Sequence, residues 1–314
     1  MLIGILIELA QLLLVALGAP LLVGLIRKLK ARLQGRRGAR LLQPYLDMRK
    51  WLVKEAVVSE NTSWIFRFTP YLQASVMLLS ALLIPLLTVQ TPLGFTGNII
   101  VLMYLFLLAT FFLALAGLDA GSAFGGMGSS REMTIAALAE PTVMIAIFAI
   151  ALRVGSTSLG EIVRRGASES MLLLNPGHLL AFIALFIVTL AETGRLPIDN
   201  PSTHLELTMI HEAMILEYSG RYLALVEWAS GMKLFLFLSL LANLFFPWGV
   251  AMNRNGASVL LAGVVLALKV GLLAAIIAVL ETSMAKLRLF RVPELLSGSF
   301  LLALLAVASF FFVR

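Results

Sequence analysis

Long apolar runs alternate with polar stretches that differ sharply in charge. Eight runs read as membrane-length helices: Leu2–Ile26, Tyr71–Val89, Asn98–Leu118, Met133–Leu152, His178–Ala191, Trp228–Phe246, Ala257–Leu280 and Leu295–Val313. A span needs about 20 residues, so the fifth run is expected to extend at its ends. The first run lacks a basic leader and is too long for a signal-peptide core, so it reads as a retained helix. The pattern predicts an all-α integral membrane protein: one polytopic domain over 1–314, about eight transmembrane helices, and large loops near 27–70 and 192–227. No internal repeat is visible, which argues against a transporter built from inverted repeats.

Composition agrees. The chain is 60% hydrophobic and 13% charged, against roughly 25% charged in soluble domains. Its 314 residues include no cysteine, so disulfides, thiolate metal sites and iron–sulfur ligation are excluded from it. Charge placement sets the expected orientation. The first loop alone holds Arg27, Lys28, Lys30, Arg32, Arg36, Arg37, Arg40, Arg49, Lys50, Lys54 and Arg67, and alternate connections add Arg131, Arg195, Arg221, Lys286, Arg288 and Arg291. The other side has only Arg153, Arg164, Arg165, Arg254 and Arg314. The positive-inside rule then places the first group in the cytoplasm and both termini outside.

Within the first loop, Gln43-Pro44-Tyr45 leads into an amphipathic run with Leu46, Trp51, Leu52 and Val53. This predicts a short interfacial helix. The basic residues around it suit anionic lipid or serve as a platform for a soluble partner, with Arg36, Arg37 and Arg40 as docking contacts.

The loop after the fifth run is dense in acids: Glu192, Asp199, Glu206, Glu212, Glu217 and Glu227, with Arg195 as a natural counter-ion. Carboxylates within reach of one another raise each other's proton affinity, as a proton relay requires. The plainer alternative is an ordinary loop with Pro197 as a helix stop. Glu217 and Arg221 stand at i,i+4, a favourable pair on a helix. His204, Glu206 and His211 do not make a metal site, because Glu206 points away from the face the histidines share.

Two charges lie deeper. Glu140 is roughly 13 Å along a helix from Arg131, and Lys269 roughly 18 Å from Ala257, at about 1.5 Å per residue. Both fall near mid-membrane, where opposite charges often pair, and Pro141 frees a backbone carbonyl beside Glu140. Lys233 and Glu281 sit nearer helix ends and can snorkel. Phosphate loops, dinucleotide fingerprints, hydrolytic triads and HExxH are absent. No catalytic residue is assigned, and nothing in the pattern suggests nucleic-acid binding.

Several blocks together resemble the NADH dehydrogenase subunit 1 family of complex I: Gly128-Ser129-Ser130-Arg131 running to Glu140, Ala191-Glu192-Thr193-Gly194-Arg195-Leu196-Pro197-Ile198-Asp199, Glu206-Leu207 and Glu217-Tyr218-Ser219-Gly220. Within that family the chain looks closer to the branch found in formate hydrogenlyase and membrane-bound nickel–iron hydrogenases. Gly35-Arg36-Arg37-Gly38 lacks the prolines usual in the quinone-reducing enzymes, and Gly117-Leu118-Asp119 stands where those tend to carry Gly-Trp-Ser. This argues against a quinone site.

The resemblance implies a membrane-arm subunit that anchors a soluble electron-transfer module and couples redox chemistry to proton or sodium movement. Its setting would be the cell (inner) membrane, beside hydrogenase-like soluble subunits and antiporter-like membrane subunits. Nickel–iron and iron–sulfur centres would lie in those partners, with no cofactor in this chain. Glu140, Glu192, Asp199, Glu206 and Glu217 would be relay acids, Arg131 and Arg195 would tune them, and Lys269 would serve the midplane step. A quinone-reducing subunit and a purely structural anchor are the alternatives.

Overall fold

The computed structural model describes residues 2–89, 97–168, 175–199, 209–253 and 255–312. These form eleven α-helices: α1 (Leu2–Leu33), α2 (Gln43–Val53), α3 (Trp64–Leu83), α4 (Ile99–Asp119), α5 (Ala123–Val154), α6 (Leu159–Ser168), α7 (Pro176–Glu192), α8 (His211–Ile215), α9 (Gly220–Phe245), α10 (Gly256–Ser283) and α11 (Val292–Phe312). Seven of the described helices are long and apolar enough to cross a membrane. The remaining predicted span, the fifth run, is α7, whose 17 residues give about 26 Å at 1.5 Å per residue. It packs along α5 and α11. The chain is thus an all-α multi-pass membrane protein, and α2 is the expected short helix of the first loop.

Several helices run further into the polar stretches than their apolar runs suggest. α1 continues to Leu33, and α5 begins at Ala123 rather than Met133. Ser122 caps α5 by accepting from the Gly125 amide at 3.1 Å. The added turns of α5 are rich in glycine and serine because they pack closely. A side chain at Gly128 would lie 2.8 Å from the Ala213 Cβ and 2.9 Å from the Ile210 carbonyl, so only glycine lets α8 rest there.

α9 is the axis of the bundle. It packs against α1, α2, α3, α6, α7 and α10, and every residue from Leu234 to Phe245 is buried. A helix apolar all round belongs inside a bundle. With water excluded, the helices are cross-tied by side chains donating to main-chain carbonyls. Trp228 Nε1 reaches Ala16 at 2.9 Å, Gln73 Nε2 reaches Ala109 at 3.0 Å, and Asn243 Nδ2 reaches Pro85 at 2.9 Å.

Lys269 belongs to this scaffold. Its ammonium donates to the carbonyls of Phe246 (2.6 Å) and Trp248 (2.5 Å), just past the carboxyl end of α9, and lies 4.6 Å from the Trp248 ring centre. The expected pairing with Glu140 is therefore corrected. Similar depth put the two charges at one level, but Lys269 is turned to the end of α9, where the helix dipole favours a cation.

Asp119, one of the departures from the quinone-enzyme pattern, ties α4 to α3. Its Oδ2 accepts from the Ser63 amide (2.8 Å) and the Phe66 amide (3.2 Å) at the start of α3. Asp119→Ala is expected to lower stability by about 1 kcal/mol while leaving helix content unchanged. Thermal unfolding followed by circular dichroism in detergent checks it, and an unshifted midpoint would exclude the capping role.

Candidate functional site

The charged end of the bundle is held together by ion pairs between helix ends. Glu281, near the end of α10, meets Lys30 of α1 at 2.8 Å and Arg195 at 3.4 Å. Asp199 Oδ1 meets Lys286 at 2.9 Å, while its Oδ2 accepts from the amides of Ile210 (3.3 Å) and His211 (3.0 Å). Asp199 thus fixes both the chain entering α8 and the connection after α10. Arg131 donates to the Met209 carbonyl at 3.0 Å, so the Gly128–Arg131 block seats the segment leading into α8.

The Glu217–Gly220 block is a joint. Tyr218 stacks on Phe66 with ring centres 4.0 Å apart and donates to its carbonyl at 3.0 Å. Ser219 exchanges two 2.8 Å hydrogen bonds with the backbone of Val57. Gly220, at φ +53°, leaves no room for a side chain against the Glu55 and Lys54 carbonyls. Glu217 itself is exposed and precedes α9. It therefore shares no helix with Arg221, which lies instead over the Tyr222 ring.

Three cavities lie end to end within this frame. The first is a chamber of about 420 Å³ between α1, α2, α9, residues 193–199 and the start of α8. Its walls carry Arg27, Lys30, Asp47, Arg195, Asp199, His211, Glu212, Glu227 and Glu281. Residues Pro44, Asp47, Met48 and Trp51 of α2 form one side, a role for this helix that its amphipathic pattern did not reveal. The second is a cavity of about 20 Å³, large enough for one water molecule. It shares Thr193, His211 and Ser230 with the chamber and adds Glu132, Glu192, Thr110 and Lys233. The third is a recess of about 240 Å³ between α4 and α5, holding Glu140, Pro141 and Tyr104. Glu192 is the one residue lining both the second and the third. Lys233 pairs with Glu192 at 2.7 Å and also donates to Thr110 Oγ1 at 3.2 Å. One oxygen of Glu140 is buried without a hydrogen-bond partner.

The structure therefore brings Glu140 and Glu192 together, with Arg195 and Asp199 one step away in the chamber wall. Arg131 stands beside the site as a structural clamp. Lys269 and Glu217 lie apart from the cavities, and Glu206 and His204 lie outside the described residues. Arg36, Arg37 and Arg40 are exposed between α1 and α2. Among the described residues no cluster of His, Asp and Glu suited to a metal ion is present. Sequence reasoning missed Glu132, which sat in an assumed loop, and it discounted Lys233 and Glu281 as snorkelling. The all-round apolar pattern of α9 was the available signal, because it forces any charge on that helix to face protein.

These features define a class: an integral membrane protein with a string of buried charges joining one end of the bundle to its interior. Residues 7–313 match the family model described as NADH dehydrogenase, and the chain belongs to that family. It is 36% identical to formate hydrogenlyase subunit 4 of Escherichia coli (strain K12) over 310 residues, 98% of each chain. It is 34% identical to hydrogenase-4 component C of the same strain, covering 96% of this chain and 94% of the relative. It is also 29% identical to NADH-quinone oxidoreductase subunit 8 of Rhodothermus marinus, covering 73% and 69%. A chain of the membrane-bound sulfane sulfur reductase, an archaeal respiratory membrane complex, shares the fold with TM-score 0.84, 21% identity and coverage of 97% and 98%.

Two groups of α8 in the chamber wall have displaced proton affinities. Burial, reinforced by Glu227 and Asp199 and opposed by Arg27, pushes Glu212 up to about 7. Burial pushes His211 down to about 4, with Lys233 and Arg195 adding to the effect against Asp199. Below the ordinary histidine value the two oppose each other: native Glu212 holds an extra proton and native His211 lacks one. Above about pH 6.5 only Glu212 still differs from the unfolded chain. Its protonated native form is then lost, so stability falls as pH rises through 7. Melting temperatures between pH 6.5 and 7.5 should decline in the unaltered protein and decline less in Glu212→Gln. Equal slopes would show that Glu212 does not titrate there.

Proposed function

We propose that this chain is a membrane-arm subunit of an energy-converting hydrogenase-type complex, one that carries charge changes from a soluble redox module into the bilayer to drive proton or sodium movement. The observation that carries the reading is the run of three cavities with Glu192 at the junction. A relay needs neighbouring carboxyl groups able to exchange protons, an entrance near the redox partner, and isolation from bulk water. The chamber supplies the entrance, the small cavity the narrow step, and Glu140 the far acid. Names and coverage of the relatives support the hydrogenase branch, in which companions of formate hydrogenlyase type would hold the nickel–iron and iron–sulfur centres. Antiporter-like subunits would lie alongside in the membrane.

In this reading the chamber end faces the cytoplasm and both termini face outward, as the distribution of basic residues favours. The chamber wall sets nine ionisable side chains among apolar residues such as Val23, Ile26, Trp51 and Leu234. That density of ionisable groups suits charge transmission.

Two experiments test the proposal. Glu192→Gln keeps the shape and hydrogen-bonding reach of the side chain but cannot ionise. In the assembled complex reconstituted in vesicles it should reduce ion translocation per electron at least tenfold while the soluble module still turns over. Normal coupling would remove Glu192 from the path. The exposed arginines are expected to steer an acidic partner surface onto the chamber end. Charge reversal of Arg36, Arg37 and Arg40 to Glu should therefore release the soluble module, while the membrane subunit inserts at normal yield. Co-purification at unchanged stoichiometry would place docking elsewhere.

A further inference from the structure

A fixed ion pair at the junction poses a problem for the path just described. Lys233 and Glu192 are 2.7 Å apart, with side chains 13% and 5% exposed. Glu192 cannot take up a proton while Lys233 holds it, and neutralising Glu192 alone would strand a buried ammonium. A second acceptor for the ammonium removes the conflict, and the small cavity contains one. Glu132 lines the same cavity as Lys233 and Glu192. Among the described residues Glu132 makes no hydrogen bond or ion pair, whereas Glu281 and Asp199 are each engaged by cations of their own. The other polar groups lining this cavity are Thr110 of α4, which already accepts from Lys233, Gln73 of α3, whose amide is committed to the Ala109 carbonyl, Thr193, which donates to the Thr189 carbonyl, Ser230 of α9 and His211 of α8. Lysine suits such a role, being a compact charge on a flexible stem.

Resting on the relay reading above, we propose that Lys233 is a mobile cation, exchanging its ion pair between Glu192 and Glu132 as each proton passes. When the ammonium moves from Glu192 to Glu132, the Glu132 carboxyl gives up a proton across the small cavity and the Glu192 carboxylate accepts it. The number of protons and the net charge of the cluster are unchanged. Glu192 now carries the proton at the wall of the recess, facing Glu140. Passing it onward restores the Glu192 carboxylate. Glu132 then takes up a proton from the chamber side, which shares Thr193, His211 and Ser230 with the small cavity. The ammonium so released returns to Glu192, where it blocks return of the proton. Glu132 is thereby assigned as the acid ahead of Glu192, and Lys233 as the gate between them.

The test compares Glu132→Gln, Lys233→Met and Lys233→Arg with Glu192→Gln in the vesicle-reconstituted complex, reading ion translocation per electron. Glu132→Gln leaves the Lys233–Glu192 pair intact, so assembly should be normal while coupling falls at least tenfold. Lys233→Met should also lose coupling. Lys233→Arg keeps the charge but not the compact, mobile ammonium, and should recover assembly without full coupling. Redox-induced infrared difference spectra should show one carboxyl C=O band lost and one gained, with both absent in Glu132→Gln. Loss of coupling in Glu192→Gln with normal coupling in Glu132→Gln would overturn the exchange and leave the relay standing. Normal coupling in Glu192→Gln would overturn the relay itself. Full coupling in Lys233→Met would overturn the gate, whatever the carboxyl variants do.

Discussion

A charge enclosed by apolar helices has to be matched where it stands, and that constraint organises this protein. Water cannot rescue an unpaired carboxylate or ammonium inside the bundle, and isolated burial costs far more than any single contact returns. The structure answers with short pairs that also fasten elements together. Lys30 and Arg195 converge on Glu281, joining α1, the segment after α7 and α10. Lys286 and two main-chain amides converge on Asp199. Lys233 joins α9 to the last residue of α7. The scaffold for helix ends and the proposed path for charge would thus use the same side chains.

The motif blocks of the sequence divide between those two tasks. In Glu217-Tyr218-Ser219-Gly220, three of four residues build: Tyr218 stacks, Ser219 bridges to Val57 and Gly220 admits the neighbouring carbonyls. In the Glu192–Asp199 block the helix ends at Glu192, and the chain turns through Gly194 at φ +58°. That turn sends neighbouring charges in different directions. Glu192 remains on the inward face of α7 beside the recess, while Arg195 reaches the chamber and Glu281. A continuous helix would have left the two only about 60° apart around one axis, three residues at about 100° each, on nearly the same face and without presenting Arg195 to a separate cavity.

The membrane class and the order of the main helices were legible because apolar runs of membrane length admit few other readings. Helix ends were less legible. The start of α5 reads as loop because glycine and serine are weak helix formers, yet those small residues are there to let α4 and α8 approach. Individual sites divided along a similar line. Glu192 and Glu140 could be singled out by charge density and depth. Depth, however, fixes only a position along a helix, and a partner also requires the same direction around it. Lys269 and Glu140 share a level and face different neighbours for that reason. Sequence position put Lys233 close enough to an end to snorkel, but its helix has no lipid-facing side over the turns that follow.

Location on the central helix gives Lys233 its importance. A cation on a peripheral helix can lean toward headgroups or water when its partner is neutralised, and its position then carries little information about the partner. On α9 the same side chain is closed in by α3, α4, α5 and α7, and its choices reduce to the acceptors those helices present. Glu192 and Thr110 hold it, and Glu132 stands across a cavity of about 20 Å³. With so few acceptors, protonation of one carboxyl group changes where the ammonium is most favourably placed. In the proposed relay, burial of the axis helix, which began as a packing requirement, would link proton occupancy at Glu192 to side-chain position, and that link would give a passive string of acids a direction.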